Sequence, residues 1–483
     1  MHGDFSRSTF DRRKHYSGVL AQQGRVTLDA DLNEQAAIQQ HLLRMFVADV
    51  VGPHAGPEGA VGFAVTLPSN PPSRNDFTIG KGRYYVDGLP AENDEDTTFW
   101  TQPERYLDQV VDAGELPGSE KAFLVYLKVW DRMVTAVQDS DLREVALGDL
   151  APDTAVRGKV SWQVIATSQL PGSTTDLTTI TENVRGKVLE EWKAWRDRDT
   201  ALYRRLKVSA KTPSDAKESP CNAAPDARYR GLENQLYRVE VHRGGVIGNT
   251  DTTTNKPTFT WSRDNGSVVF PVAAVADKKV RLASAGRDHK LDLDVGDWVE
   301  FVDDAYAVRG KSEPLLQVEE IDAERQWITL SAAPRTTRRT LHPFLRRWDQ
   351  RPEAPPKPAG TSDSGAILAD DNALILVEDK WIDLEDGIRI MFEPGGSYTT
   401  GDYWLIPART LPGDAQWPQD PSGKGPAYVP AHGVTYHYAP LAFVPKSGDP
   451  LDLRMRFKPQ VEDVTPEAPA DEPAKRARKQ PGS

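Results

Sequence analysis

Cysteine is almost missing from this chain of 483 residues: Cys221 stands alone. That excludes a disulfide framework within the chain and any zinc site built on clustered cysteines. Long apolar runs are missing too. None approaches the roughly 20 residues that span a bilayer, and Met1–Phe10 lacks the apolar stretch of a secretory signal. Neither a membrane span nor a signal peptide is therefore expected. Positive charge is in deficit, with 59 Lys and Arg against 71 Asp and Glu and a formal net charge of −12. Such a chain has no overall field to replace phosphate counterions, which argues against general nucleic-acid binding. The nine histidines are scattered, without His-Glu-x-x-His or His-x-His spacing, so no set of three or four metal ligands is predicted. A Gly-x-Ser-x-Gly elbow and a phosphate-binding loop are absent as well.

Two acidic groups need weighing. Asp29, Asp31 and Glu34 read either as oxygen ligands for a hard cation or as acids capping a helix N-terminus. The calcium-loop pattern is missing, which favours capping. Asp292, Asp294, Asp297, Asp303 and Asp304 contain pairs that suit glycoside chemistry only at particular separations, and acids at β-turns are common. No catalytic residue, cofactor site or metal site is predicted, and the chain is not expected to be an enzyme. Cys221 has no sequence neighbour to activate it and reads as an incidental thiol.

What is present is β-rich. Val26 and Leu28 alternate with polar residues as a short strand would. A helix is predicted from about Leu32 to Val50, with Asp31 and Glu34 at capping-box spacing and Gly52-Pro53 as the stop. Ile38, Leu42, Met45, Phe46 and Val50 share one face, read as core. Phe77–Ile79, Arg83–Val86, Ala122–Val129 and Val160–Ala166 read as strands, and 179–208 as a second helical segment with Val184, Val188, Trp192, Trp195, Leu202 and Leu206 on one side. Asp264-Asn-Gly266 between Thr258–Arg263 and Ser267–Val272 is a hairpin signal, because Asn-Gly accepts positive φ.

The fold class expected is mainly β with a few helices (α+β): several small antiparallel sandwich- or barrel-like units with one N-terminal and one mid-chain helix. Along the chain, 1–55 is an N-terminal arm and helix, and 56–230 an α+β domain. An all-β domain, 231–350, follows, then a Pro-rich linker or loop at 351–365. A C-terminal β region occupies 366–459, and 460–483 is polar enough to be disordered. Twelve tryptophans, among them Trp130, Trp261, Trp298 and Trp404 beside charged or polar residues, suit a core, a protein interface or a sugar-stacking cleft.

Several blocks carry a resemblance. Gly3-Asp-Phe-Ser-Arg7, Thr9-Phe10, His15-Tyr16, Gln22-Gln-Gly-Arg25 and Asp29-Ala-Asp31 with Asn33-Glu34 open the chain. Gly82-Arg-Tyr-Tyr-Val-Asp-Gly88, Lys128-Val-Trp-Asp131, Glu144-Val-Ala-Leu-Gly148, Gly231–Glu240, Phe259–Gly266 and Gly401-Asp-Tyr-Trp-Leu-Ile-Pro-Ala-Arg409 follow. Together they resemble a bacterial family of largely unknown function, encoded beside phage-tail-like contractile injection systems and related tail or baseplate genes. Leu32 stands where the family pattern has an aromatic residue.

The resemblance implies a structural component of such a particle, a baseplate- or tail-fibre-associated adaptor. Its partners would be baseplate or tail proteins, with a homo-oligomer also open. It would assemble in the cytoplasm, and release on lysis is one route out. The rival expectation is a tail protein that binds or cleaves cell-surface carbohydrate. Phe5, Arg7, Phe10, Arg12, Arg13, Lys14 and Tyr16 are the candidate partner-binding residues. They sit on a docking arm or on an integral strand and loop of the core.

Overall fold

The structure is a computed structural model that describes residues 2–68, 75–118, 120–148, 153–170, 183–200, 204–210, 228–247, 256–284, 286, 290–335, 338–350, 368–423 and 425–458. The 351–365 linker, the 460–483 tail, Cys221 and Leu202 lie outside the described residues. The fold is mainly β, with three α-helices among the described residues: α1 (Asp29–Val51), α2 (Val184–Thr200) and α3 (Asp304–Arg309). No helix among them is long and apolar enough to cross a membrane.

The longest strand, Phe123–Val134, pairs antiparallel along its length with Arg157–Thr167 and on its other edge with His437–Val444. Its Phe-Leu-Val-Tyr-Leu run is continuous because both faces are covered. Phe123, Val125, Leu127 and Val129 face a core with Phe63, Phe77, Tyr84 and Phe99. Leu124 and Tyr126 face Val184, Val188 and Trp192 of α2, so α2 is an amphipathic helix laid on a sheet. The helical segment expected to reach residue 208 stops sooner. Arg205–Ala210 is a strand, paired with Ile388–Phe392. Leu206 and Val208 alternate with half-buried neighbours and enter a different core from that under α2; the period there is two.

Six strands close a barrel: Val269–Ala276, Lys279–Leu282, Trp327–Leu330, Leu316–Asp322, Trp298–Val302 and Phe344–Trp348, which returns to the first. Phe270, Val280, Val299, Phe301, Val318, Ile328 and Leu345 fill it. Beside it lies a five-stranded sheet whose central strand, Gln235–Arg243, pairs with Thr258–Ser262 and Tyr403–Arg409.

The strands of 366–459 are shared among sheets begun earlier in the chain. Ile388–Phe392, Tyr403–Arg409 and His437–Val444 pair with three different ones, and Arg456–Phe457 pairs parallel with His54–Pro57.

The Asp264-Asn-Gly266 turn forms, with φ of 51° at Asn265 and 64° at Gly266 and Ser267 N–H donating to the Asp264 carbonyl at 3.0 Å. Yet it makes no hairpin. Thr258–Ser262 belongs to the five-stranded sheet and Val269–Ala276 to the barrel, so the turn is the crossover between the two.

Residues 2–28 contain no strand; Val26 and Leu28 are exposed. The strand-like alternation there meets no sheet edge. α1 also departs from expectation. Of the five residues read as its core face, Ile38 alone is buried, and Leu42, Met45, Phe46 and Val50 are exposed. The helix meets the body through other groups. Arg44 pairs with Asp131 at 2.5 Å. Gly88, at φ +82°, lies so close that a Cβ there would sit 2.4 Å from the Arg44 carbonyl oxygen. That contact explains the last glycine of the Gly82–Gly88 block, since a side chain has no room there and the φ favours glycine.

Candidate functional site

Three separate sequence blocks meet under the first residues of the chain. Arg238 and Glu240 are two apart on the central strand, hence on one face, and Arg238 Nε donates to Glu240 at 2.5 Å. The Arg238 guanidinium lies 3.7 Å from the centre of the Tyr403 ring, which the neighbouring strand supplies. Arg238 Nη1 donates to Asn265 Oδ1 at 3.1 Å.

The N-terminal segment closes over this network. His2 Nε2 lies 2.9 Å from a Glu240 carboxylate oxygen. Asn265 Nδ2 donates to the Gly3 carbonyl at 2.9 Å, and Arg409 Nη2 donates to the Ser6 carbonyl at 2.9 Å. Gly3 is buried, with the Phe5 ring against it.

The electrostatics follow from burial. Burial, with the Arg238 and Arg346 guanidiniums nearby, holds His2 well below its usual pKa. The ring is therefore neutral, and its Nε2–H donates to Glu240. Burial opposes charge on Glu240, but Arg238, the hydrogen bond from His2 and Arg346 together outweigh it and keep the carboxylate ionised. Asp264, at the turn, is pushed up to about 6 by burial and by Asp349.

The segment then crosses to α1. Ser6 donates both its N–H (2.9 Å) and its hydroxyl (2.6 Å) to Asp29, and Thr9 donates its hydroxyl to Glu34 at 2.6 Å. The capping-box expectation is thus corrected: the residue preceding α1 is Leu28, with no side-chain cap, and these acids hold the N-terminal segment instead. Phe10 packs on His41 at 5.7 Å between ring centroids, and Val19 N–H donates to Gln35 at 2.5 Å. A cavity of about 150 Å³ lies between segment and helix, lined by Phe10, Tyr16, Ile38, His41, Leu42 and Met45.

The candidate partner-binding residues divide. Phe5, Arg7 and Phe10 are half-buried along the pinned part. Arg12, Arg13 and Lys14 form an exposed turn of 3₁₀ helix, capped by Asp11 and followed by the exposed Tyr16. Arg13 is tied to Asp11 at 2.8 Å, and the Lys14 ammonium is 5.7 Å from the Tyr16 ring centre. The segment is a strap: anchored at 2–10, largely exposed over 12–28, and tied back to α1 at Val19.

Sequence reasoning did not single out Arg238, Glu240, Asn265 or Arg409. Their blocks were visible, but their meeting is not a property of sequence spacing. Four of the acids weighed for catalysis have structural partners: Asp292 accepts from Leu293 N–H, Asp297 accepts from Asp294 N–H, Asp303 caps α3 and pairs with Arg338, and Asp304 accepts from Gln138 and meets His342. No group of three or more His, Cys, Asp or Glu among the described residues is arranged for a metal ion.

The model of a family of unknown function, DUF6519, matches residues 1–189 and 193–466. The chain belongs to that family. The match takes in the strap, the central strand, the crossover turn and Arg409, so the whole anchoring network is part of the DUF6519 region. No curated protein and no solved structure matches the chain.

Proposed function

We propose that this protein is a structural subunit of a phage-tail-like contractile injection particle, a baseplate- or tail-fibre-associated adaptor that acts through protein–protein contacts. It assembles into the particle in the cytoplasm. The observation that carries the reading is the strap: a pinned N-terminal segment that presents Arg12, Arg13, Lys14 and Tyr16 outward from a rigid β body. Basic and aromatic side chains held on a fixed support lose little entropy on docking and are the usual anchors of interfaces. The carbohydrate reading draws less support, because all twelve tryptophans are buried or half-buried, while sugar stacking needs an open ring face.

The test is co-sedimentation of native particles. The wild-type chain should pellet with sheath and tube proteins, and a chain carrying Arg12→Glu, Arg13→Glu, Lys14→Glu and Tyr16→Ala should remain in the light fractions while folded. A wild-type chain that stays light while sheath and tube pellet would overturn the particle reading. A variant that pellets as well as wild type would overturn the role of the strap.

A further inference from the structure

α1 carries a second strip, apolar except at Gln39, opposite the side that meets the body. Leu32, Ala36, Gln39, Leu43, Phe46 and Val50 are spaced 4-3-4-3-4, the spacing of a coiled-coil seam. All six are exposed, with Leu32 and Phe46 at 64% and Leu43 at 63%. A helix of 23 residues is about 34 Å long. Its exposed side chains present an apolar surface of the order of several hundred Å², the range that marks interaction sites.

The three longest segments outside the described residues are poor in groups that could cover it, and 171–182 adds only Leu177 and Ile180. Residues 211–227 contain no large aliphatic or aromatic residue, 351–367 only Ile367, and 460–483 only Val461 and Val464.

We infer that this strip is the contact between two copies of the chain, with α1 packed antiparallel on α1 about a twofold axis near His41. Two features of the seam select that occupant and direction. First, the flanking positions Asn33, Gln35, Gln40, Leu42, Val47 and Asp49 hold one charge among six. Two copies of a chain with net charge −12 can therefore approach along this line without rows of like charge meeting. Second, the seam is complementary to itself when reversed. Ala36 then faces the partner's Phe46, Leu32 faces the partner's Val50, and Gln39 faces the partner's Leu43. In the two Ala36–Phe46 layers small opposes large, as interdigitated layers require. A parallel pair would instead set phenylalanine on phenylalanine and alanine on alanine. The contact is isologous and closes at two copies. It stands on α1 alone and does not require the particle reading.

The experiment uses the purified full chain, away from any particle. Sedimentation equilibrium over a micromolar concentration series should give twice the chain mass. Leu43→Glu with Phe46→Glu should return it to the single-chain mass, with an unchanged circular dichroism spectrum, because both side chains are exposed in one copy. Direction is read by oxidative cross-linking in a Cys221→Ser background. Ala36→Cys mixed with Phe46→Cys should give a covalent heterodimer, and neither variant alone should cross-link. A wild-type chain of single mass, or a dimer indifferent to the double glutamate, overturns the inference. Cross-linking of Ala36→Cys with itself overturns the antiparallel direction.

Discussion

Replacing Asn265 by alanine tests whether the strap is held by the network beneath it. The amide accepts from Arg238 at 3.1 Å and donates to the Gly3 carbonyl at 2.9 Å, and the residue is 1% exposed at φ 51°. Alanine removes both bonds and leaves two buried groups without their partner, at about 1–3 kcal/mol each. It also places a Cβ in the left-handed region without a compensating side chain, at about 1–2 kcal/mol. The expected loss is therefore about 3–8 kcal/mol, concentrated at the strap. Asn265→Gly loses the same bonds but accepts the positive φ, so it should be milder than alanine by about 1–2 kcal/mol. The assay is hydrogen exchange by mass spectrometry alongside urea unfolding. In Asn265→Ala the Ser6 amide, which donates to Asp29, should exchange far faster than amides of the Phe123–Val134 strand. Unchanged protection at Ser6 with a stability loss below about 1 kcal/mol would refute the anchoring argument.

Other consequences are as direct. Gly88→Ala should destabilise the protein by about 2 kcal/mol or more and loosen α1, because backbone strain adds to the collision with Arg44; wild-type unfolding midpoints and wild-type exchange across α1 would contradict this. Trp192→Ala should cost about 3–5 kcal/mol, since the ring is 3% exposed and packs on Tyr126 and Trp195; calorimetry would show it, and a loss under about 1 kcal/mol would mean that α2 is not fixed to the sheet. Asp264, with its folded pKa raised to about 6, binds its proton more tightly folded than unfolded. Its charging therefore lowers stability as pH rises from about 4 to 6. Asp264→Asn should stabilise the protein at pH 7.5 by about 1–2 kcal/mol, after allowance for partial exposure, and have little effect near pH 4; equal effects at both would refute the assignment.

Much of the architecture was legible because it rests on local signals. Short apolar runs marked the strands at Gly82–Val86 and Arg157–Thr167, and the apolar run at 122–129 marked the doubly covered strand. Gly52 and Pro53 marked the end of α1. The error at residues 205–208 arose where 3- and 4-residue steps and period-two alternation pick out the same apolar positions.

The sequence by itself determined most of the strands and helices, that residues 265 and 266 take left-handed backbone, and that α1 is apolar enough to need covering. These depend on side-chain periodicity, backbone sterics and composition, all local. Tertiary structure decided which strip of α1 faces the body. A helix apolar on opposite sides has no preferred orientation of its own, and the Gly88 approach and the Arg44–Asp131 pair supply one. It decided that the Asn-Gly turn joins two sheets, because pairing partners are set by long-range packing. Tertiary structure also brought residues 2–6, 238–240, 265 and 409 to one place. Charge and hydrogen-bond groups that must be satisfied once buried converge only when the strands carrying them are packed side by side.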